Sequence, residues 1–145
     1  MAGSAIQLEL DEGDLAAALG RLTGPLLDVA LRDIAEYGSN RIDDHFQEER
    51  GPDGPWEPLK ERTLKRKQRR NKLLKILREE DDLRRSIIYQ IDDGGIVWGT
   101  NRVQAASMQF GDESRGIPAR PFLYFTDEEL QEMGELVRDR LTNRF

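Results

Sequence analysis

The chain of 145 residues contains no cysteine and a single histidine. The missing thiols exclude disulfides, thiol catalysis and thiolate-held metals, and they fit synthesis in the cytoplasm. No apolar run approaches the roughly 18 residues that mark a membrane-spanning helix, so no membrane partner is expected. The opening "MAGSAIQLEL" has neither a basic start nor an apolar core, which predicts no signal peptide. No glycine loop of the Walker or dinucleotide type occurs, and no serine lies in a G-x-S-x-G elbow. The one histidine, His45, sits in "RIDDHFQEE" beside Asp43, Asp44 and Glu48. A metal-dependent hydrolase built on Asp43, Asp44 and His45 would need several converging ligands. One imidazole among helical carboxylates reads instead as a solvated face. The run "EEDD" at 79–82 also reads as solvated, because consecutive acids point in different directions. No cofactor or metal is therefore expected, and no catalytic residue.

What the chain does have is charge, unevenly placed. The net charge is −6, with 34% charged residues against 37% hydrophobic ones. Residues 1–50 hold 11 acids and 4 bases, residues 51–78 hold 3 acids and 10 bases, and residues 79–145 hold 14 acids and 8 bases. A basic block is thus inserted into an acidic protein. Phosphate contacts need lysine and arginine at this density, so a small DNA-binding accessory protein using residues 60–78 is one reading. The block lacks interleaved aromatics for stacking, and the bulk charge has the wrong sign for a dedicated DNA binder. The other reading is a basic helix, carrying Lys65, Arg66 and Arg69, that docks on an acidic protein surface. The acidic parts of a second copy would serve.

The length suits a single domain, 1–145, that is loop-rich over 50–82. "AIQLEL" alternates as a short strand over 5–10. Asp14 can cap a short helix to about Leu22. Pro25 suits the first turn of a longer helix ending near Glu49, with Gly38 as a weak point that invites a kink. "RGPDGPWEPL" is a loop whose one large apolar residue, Trp56, folds back onto the domain. Residues 59–70 have good helix formers. "SIIYQI", "DDGG" and "IVWGT" predict a hairpin over 86–99. "NRVQAASMQFG" predicts a short helix ended by Gly111. Near the C-terminus, "TDEE" is a capping box between Thr126 and Glu129, opening a helix over about 127–142. The fold class is α+β: N-terminal helices, a small antiparallel sheet and a C-terminal helix.

Between the glycine stop and the capping box lies "GIPARPFLYFT", residues 116–126. Pro118 and Pro121 fix φ and disfavour helix, so the stretch is extended, and an edge strand is expected near 119–125. In a strand Arg120, Phe122 and Tyr124 would share one face. That face, together with Trp56 and the basic Lys65, Arg66 and Arg69, forms the candidate subunit or partner interface. Arg120 offers a planar fork for a carboxylate.

Several segments together resemble the phage virion morphogenesis, or tail completion, proteins of Mu-type phages and prophages. "ALRDIAE" (30–36) is similar to the family's N-terminal helix, and "PDGPWEPL" (52–59) to its "PDG-x-W-x-PL" loop. "LRRSI" (83–87) resembles "L-R-x-S-I", and "GTN" (99–101) its strand end. "AASMQFG" (105–111) resembles part of "Y-A-x-x-H-Q-x-G", and "IPARPFL" (117–123) matches in full. The order of motifs carries the resemblance over about residues 14–142. Two positions depart from the pattern: Gln104 stands for the family's tyrosine and Met108 for its histidine. "EEDD" also replaces a threonine-glycine pair.

The resemblance implies a non-enzymatic structural protein acting in tail completion or head–tail joining. It implies a homo-oligomeric ring at the tail end, a hexamer matching the tail tube. The expected partners are further copies, the phage tail tube and head–neck proteins, with transient contact to phage DNA in a lumen. The expected location is the tail–neck region of the virion, and the host cytoplasm during assembly.

Overall fold

The computed structural model describes residues 6–9, 20, 24–70, 82–92 and 95–142. In chain order the elements are β1 (Ile6–Glu9), α1 (Gly24–Glu48), β2 (Arg50–Gly51), β3 (Gly54–Pro55) and α2 (Glu61–Arg69). They continue with α3 (Asp82–Ser86), β4 (Ile88–Asp92), β5 (Gly95–Thr100), α4 (Ala105–Phe110), a 3-10 turn at Glu113–Arg115 and α5 (Asp127–Thr142). The class is α+β, as the sequence predicts. The helix expected over 14–22 lies outside the described residues, apart from Gly20, as do "NKLLKIL" and residues 79–81.

One antiparallel sheet has the order β1-β5-β4. Its hairpin pairs Ile88 with Gly99 at one end and Asp92 with Gly95 at the other. β1 lies on the far side of β5, with Ile6 opposite Thr100 and Glu9 opposite Val97. Along β5 burial alternates: Ile96, Trp98 and Thr100 are buried, and Gly95, Val97 and Gly99 are half-exposed. This period of two turns one face toward α1, which packs against β4, β5 and α5. Phe46, Phe122, Trp98, Met133 and Val137 are fully buried in a single cluster. Each aliphatic or phenyl side chain so buried contributes about 2–3 kcal/mol relative to exposure.

α1 forms because Ala30, Leu31, Ile34, Ala35, Ile42 and Phe46 recur at three- and four-residue spacing along one buried stripe. It is helical on both sides of Gly38. Gly38 is there for space. A Cβ on it would stand 2.4 Å from Trp98 Cζ2 and 2.9 Å from Phe125 Cζ. The bare backbone makes a notch for the Trp98 indole, whose Nε1 donates to the Ala35 carbonyl at 3.3 Å. Phe125 closes the notch edge-to-face on the indole, with centroids 4.9 Å apart. The helix ends where Glu49 turns to φ 55°, a left-handed stop, and its carbonyl accepts the Trp56 amide at 2.8 Å.

The edge strand expected near 119–125 is a correction. Residues 118–126 form no regular element and bend at Leu123, and they join neither the three-stranded sheet nor the small β2–β3 ladder. Buried backbone must still be hydrogen-bonded. Here side chains take the place of a neighbouring strand.

Candidate functional site

Three helices and the loop after β3 reach into residues 118–126. From α4, Gln109 Oε1 accepts the amides of Phe122 and Leu123, both at 3.0 Å, and its Nε2 donates to the Leu123 carbonyl at 2.9 Å. The same helix end supplies the Met108 carbonyl to the Arg120 amide at 2.8 Å. After β3, Trp56 Nε1 donates to the Pro121 carbonyl at 2.8 Å. From α1, His45 Nδ1 bonds the Phe122 carbonyl at 3.1 Å. From α5, Glu129 Oε1 accepts the Thr126 amide at 2.8 Å, and Thr126 Oγ1 accepts the Glu129 amide at 3.1 Å. This reciprocal pair is the capping box read in "TDEE". Gly111 ends α4 at φ 77°, and a Cβ there would stand 2.8 Å from the Ala119 nitrogen. Only glycine lets the two backbones approach so closely.

His45 is the hub, and it is buried rather than solvated. It is 2% exposed, its Nε2 lies 3.1 Å from Glu129 Oε2, and Tyr124 stacks on it at 3.9 Å. It occupies the same α1 stripe as Ile42 and Phe46, a register that could have been read from the sequence. Burial pushes the Glu129 carboxyl up. Hydrogen bonds from His45, the Thr126 amide and Arg41 outweigh that and bring it to about 2. The Phe122 carbonyl can only accept, so His45 Nδ1 donates to it, and Nε2 faces the Glu129 carboxylate. The ring thus ties α1 to both the 118–126 segment and the cap of α5.

The acids beside it are also engaged. Asp44 pairs with Arg41 at 2.8 Å and Asp43 with Arg84 at 2.5 Å, on different partners. Among the described residues no group of three or more histidines, cysteines or carboxylates could hold a metal. No buried side-chain nitrogen or oxygen there lacks a partner. An open polar cleft of about 260 Å³ lies over the hub, between α1, the β2–β3 turn and the start of α5. Tyr37, Arg41, Glu48, Arg50, Glu128 and Glu132 line it with His45 and Tyr124. The Tyr37 hydroxyl donates to Glu132 across it. What this arrangement does chemically is hold backbone in place.

The candidate interface residues divide in two. Trp56, Phe122 and Arg120 are 5%, 0% and 8% exposed, so their contacts are made within one chain. The Arg120 fork meets carbonyls rather than a carboxylate: Nε donates to the Glu57 oxygen at 2.9 Å and Nη2 to the Pro58 oxygen at 3.2 Å. Burial lowers the Arg120 pKa, while Glu57 and Glu49 oppose the shift. Tyr124 is half-buried, and its hydroxyl donates to the Arg50 carbonyl at 2.8 Å. Lys65, Arg66 and Arg69 remain exposed on α2. Gln109 and Glu129, which organise the centre, gave no interface signal in the sequence. Glu129 was visible only as half of a cap.

The profile of the phage virion morphogenesis family matches residues 13–142. The chain belongs to the phage virion morphogenesis family. Comparisons with curated proteins and with solved structures find no match. Membership gives the protein a role in phage assembly. The segments that carry the family resemblance meet in space. "PDGPWEPL" brings Trp56 and the carbonyls that hold Arg120, "AASMQFG" brings Gln109 and Gly111, and "IPARPFL" is the segment they hold. Ser86 of "LRRSI" and Thr100 of "GTN" share a hydrogen bond at 2.6 Å. Met108, in place of the family's histidine, packs against the core. No described helix of this family member is long and apolar enough to cross a membrane.

Proposed function

We propose that this virion morphogenesis protein is a structural, non-enzymatic part that completes the tail or joins it to the head. It works as a ring of identical copies at the tail end, six to match the tail tube. Its location is then the neck of the virion. One observation carries the reading: the family's motifs converge on a cluster in which Trp56, His45 and Gln109 all bond the backbone of one segment. Such a cluster supports a rigid building block. The acidic bulk of the ring would let DNA pass a lumen without adhering. The test is the mass of the purified protein by light scattering, with electron microscopy of tails mixed with it. Rings capping the tail end are expected. A protein that never engages tails or heads would sink the proposal.

The second reading, a DNA-binding accessory protein, is favoured by the exposed bases of α2. Filter binding over a salt series separates the two. Salt-steep binding lost on reversing Lys65, Arg66 and Arg69 would support it.

A further inference from the structure

Two exposed helix faces carry opposite charge at the same spacing. On α2, Thr63, Leu64 and Lys67 turn inward, while Arg62, Lys65, Arg66 and Arg69 are exposed. At 100° per residue these four fall within one arc of roughly 100°, a basic stripe about 10 Å long. On α5, Glu129, Met133, Gly134 and Val137 turn inward, while Glu128, Glu132, Glu135 and Asp139 are exposed. These four fall within about 60° of arc, an acidic stripe about 16 Å long.

The intervals agree. Arg62, Arg66 and Arg69 are spaced by four and three, and so are Glu128, Glu132 and Glu135. Glu132, Glu135 and Asp139 give three and four, which matches the same arginines read backwards. Either helix direction therefore brings three opposite charges together. Some local pairing exists already: Lys65 lies 3.2 Å from Glu61, both side chains remaining well exposed.

We propose that the basic face of α2 docks on the acidic face of α5 in a second copy of this chain. The proposal rests on the ring reading above and names its contact. The two faces are different surfaces of one chain, so the contact is head-to-tail. A head-to-tail contact repeats from copy to copy and closes into a ring when the rotation allows. Charge matching fixes the register and repels mispairing more than it adds affinity. Self-association is accordingly salt-sensitive, weakening about tenfold or more as salt rises from about 50 to 500 mM.

The test is a charge swap on the full chain. One variant carries Arg62→Glu, Arg66→Glu and Arg69→Glu, so both faces are acidic. The other carries Glu128→Lys, Glu135→Lys and Asp139→Lys, so both faces are basic, and Glu132 keeps its bond to Tyr37. Circular dichroism checks that each folds. Analytical ultracentrifugation should find each variant dissociated alone and the equimolar mixture assembled, because mixing restores both contacts. A variant that assembles alone like the wild type overturns the contact. So does a folded pair that stays dissociated when mixed, or a wild type that is monomeric in low salt. Fluorescence anisotropy with a short DNA duplex provides the competing outcome. Duplex binding lost in the first variant, with assembly intact, assigns the basic face to nucleic acid and overturns the proposal. Rings that never engage tails would refute the assembly role and leave the contact standing. Charge-reversed chains that still form rings would do the opposite.

Discussion

Adding one methyl group to Gly38 should destabilise the protein, although the same change elsewhere in a helix stabilises. The new Cβ would lie 2.4 Å from Trp98 Cζ2 and 2.9 Å from both Trp98 Cε2 and Phe125 Cζ. Carbons pack at about 3.5–4.0 Å, so the indole must retreat by roughly 1 Å. Trp98 is fully buried, bonded to Ala35 and backed by Phe125, so it has nowhere to go without opening the core. Overpacking of this kind costs about 1–3 kcal/mol, and weakening the indole hydrogen bond adds about 1 kcal/mol. Alanine returns about 1 kcal/mol of helix propensity. The net loss for Gly38→Ala is roughly 1–3 kcal/mol, a fall in Tm of roughly 3–10 °C. Gly134 in α5 is the control. A Cβ there meets only the flexible Arg138 side chain, at 3.7 Å, so Gly134→Ala should gain about 0.5–1 kcal/mol. Urea and thermal unfolding of the two variants measure both signs. A Gly38→Ala protein at least as stable as the wild type would refute the notch. A Trp98→Phe background should relieve part of the loss, a non-additivity that distinguishes steric conflict from helix effects.

Gln109→Ala removes three hydrogen bonds to residues 122 and 123 and should cost about 2–4 kcal/mol, read by urea unfolding. Limited proteolysis should then cut within 118–126, and an unchanged pattern would count against the bracing role. Trp56→Phe keeps most of the packing but loses the bond to the Pro121 carbonyl, for about 1–2 kcal/mol. Glu129 has a folded-state pKa of about 2, below its ordinary value, so it binds its proton less readily folded than unfolded. Its stabilisation is complete above about pH 4.5 and is lost as pH falls toward 2. Stability measured from pH 6 to pH 3 should therefore drop less in Glu129→Gln than in the wild type. Equal slopes would show that Glu129 is not the group involved.

Local chemistry was legible in the sequence where it acts locally. Pro25 marks the start of α1, the alternation in "SIIYQI" and "IVWGT" gives β4 and β5, Gly111 stops α4, and "TDEE" caps α5. What failed depended on remote partners. Two prolines and alternating side chains describe an extended backbone, but they do not say what bonds to it. The groups that do so, Trp56, His45 and Gln109, come from other parts of the chain. For the same reason the aromatic and arginine cluster read as an outward face, although Phe122 and Arg120 are buried. Gly38 shows how an absent side chain stays silent in sequence: nothing in "EYGSN" names the indole that fills the gap. The exposed bases of α2 were legible because charge density needs no partner to be seen.

The bracing of residues 118–126 by side chains sets an order of events for the newly made chain. Contacts to this segment span 77 residues from His45 to Phe122, 65 from Trp56 to Pro121 and 13 from Gln109 to Phe122. Closing such long loops is slow relative to winding a helix or zipping a hairpin. The segment has no ladder to grow along, so it cannot nucleate by itself. It locks only after α1, the turn beyond β3 and α4 have come together, and the cap on α5 closes with it. The Phe122 and Leu123 amides thus time the completion of folding. In a pulse-labelled refolding experiment they should gain protection later than the amides of the β4–β5 hairpin.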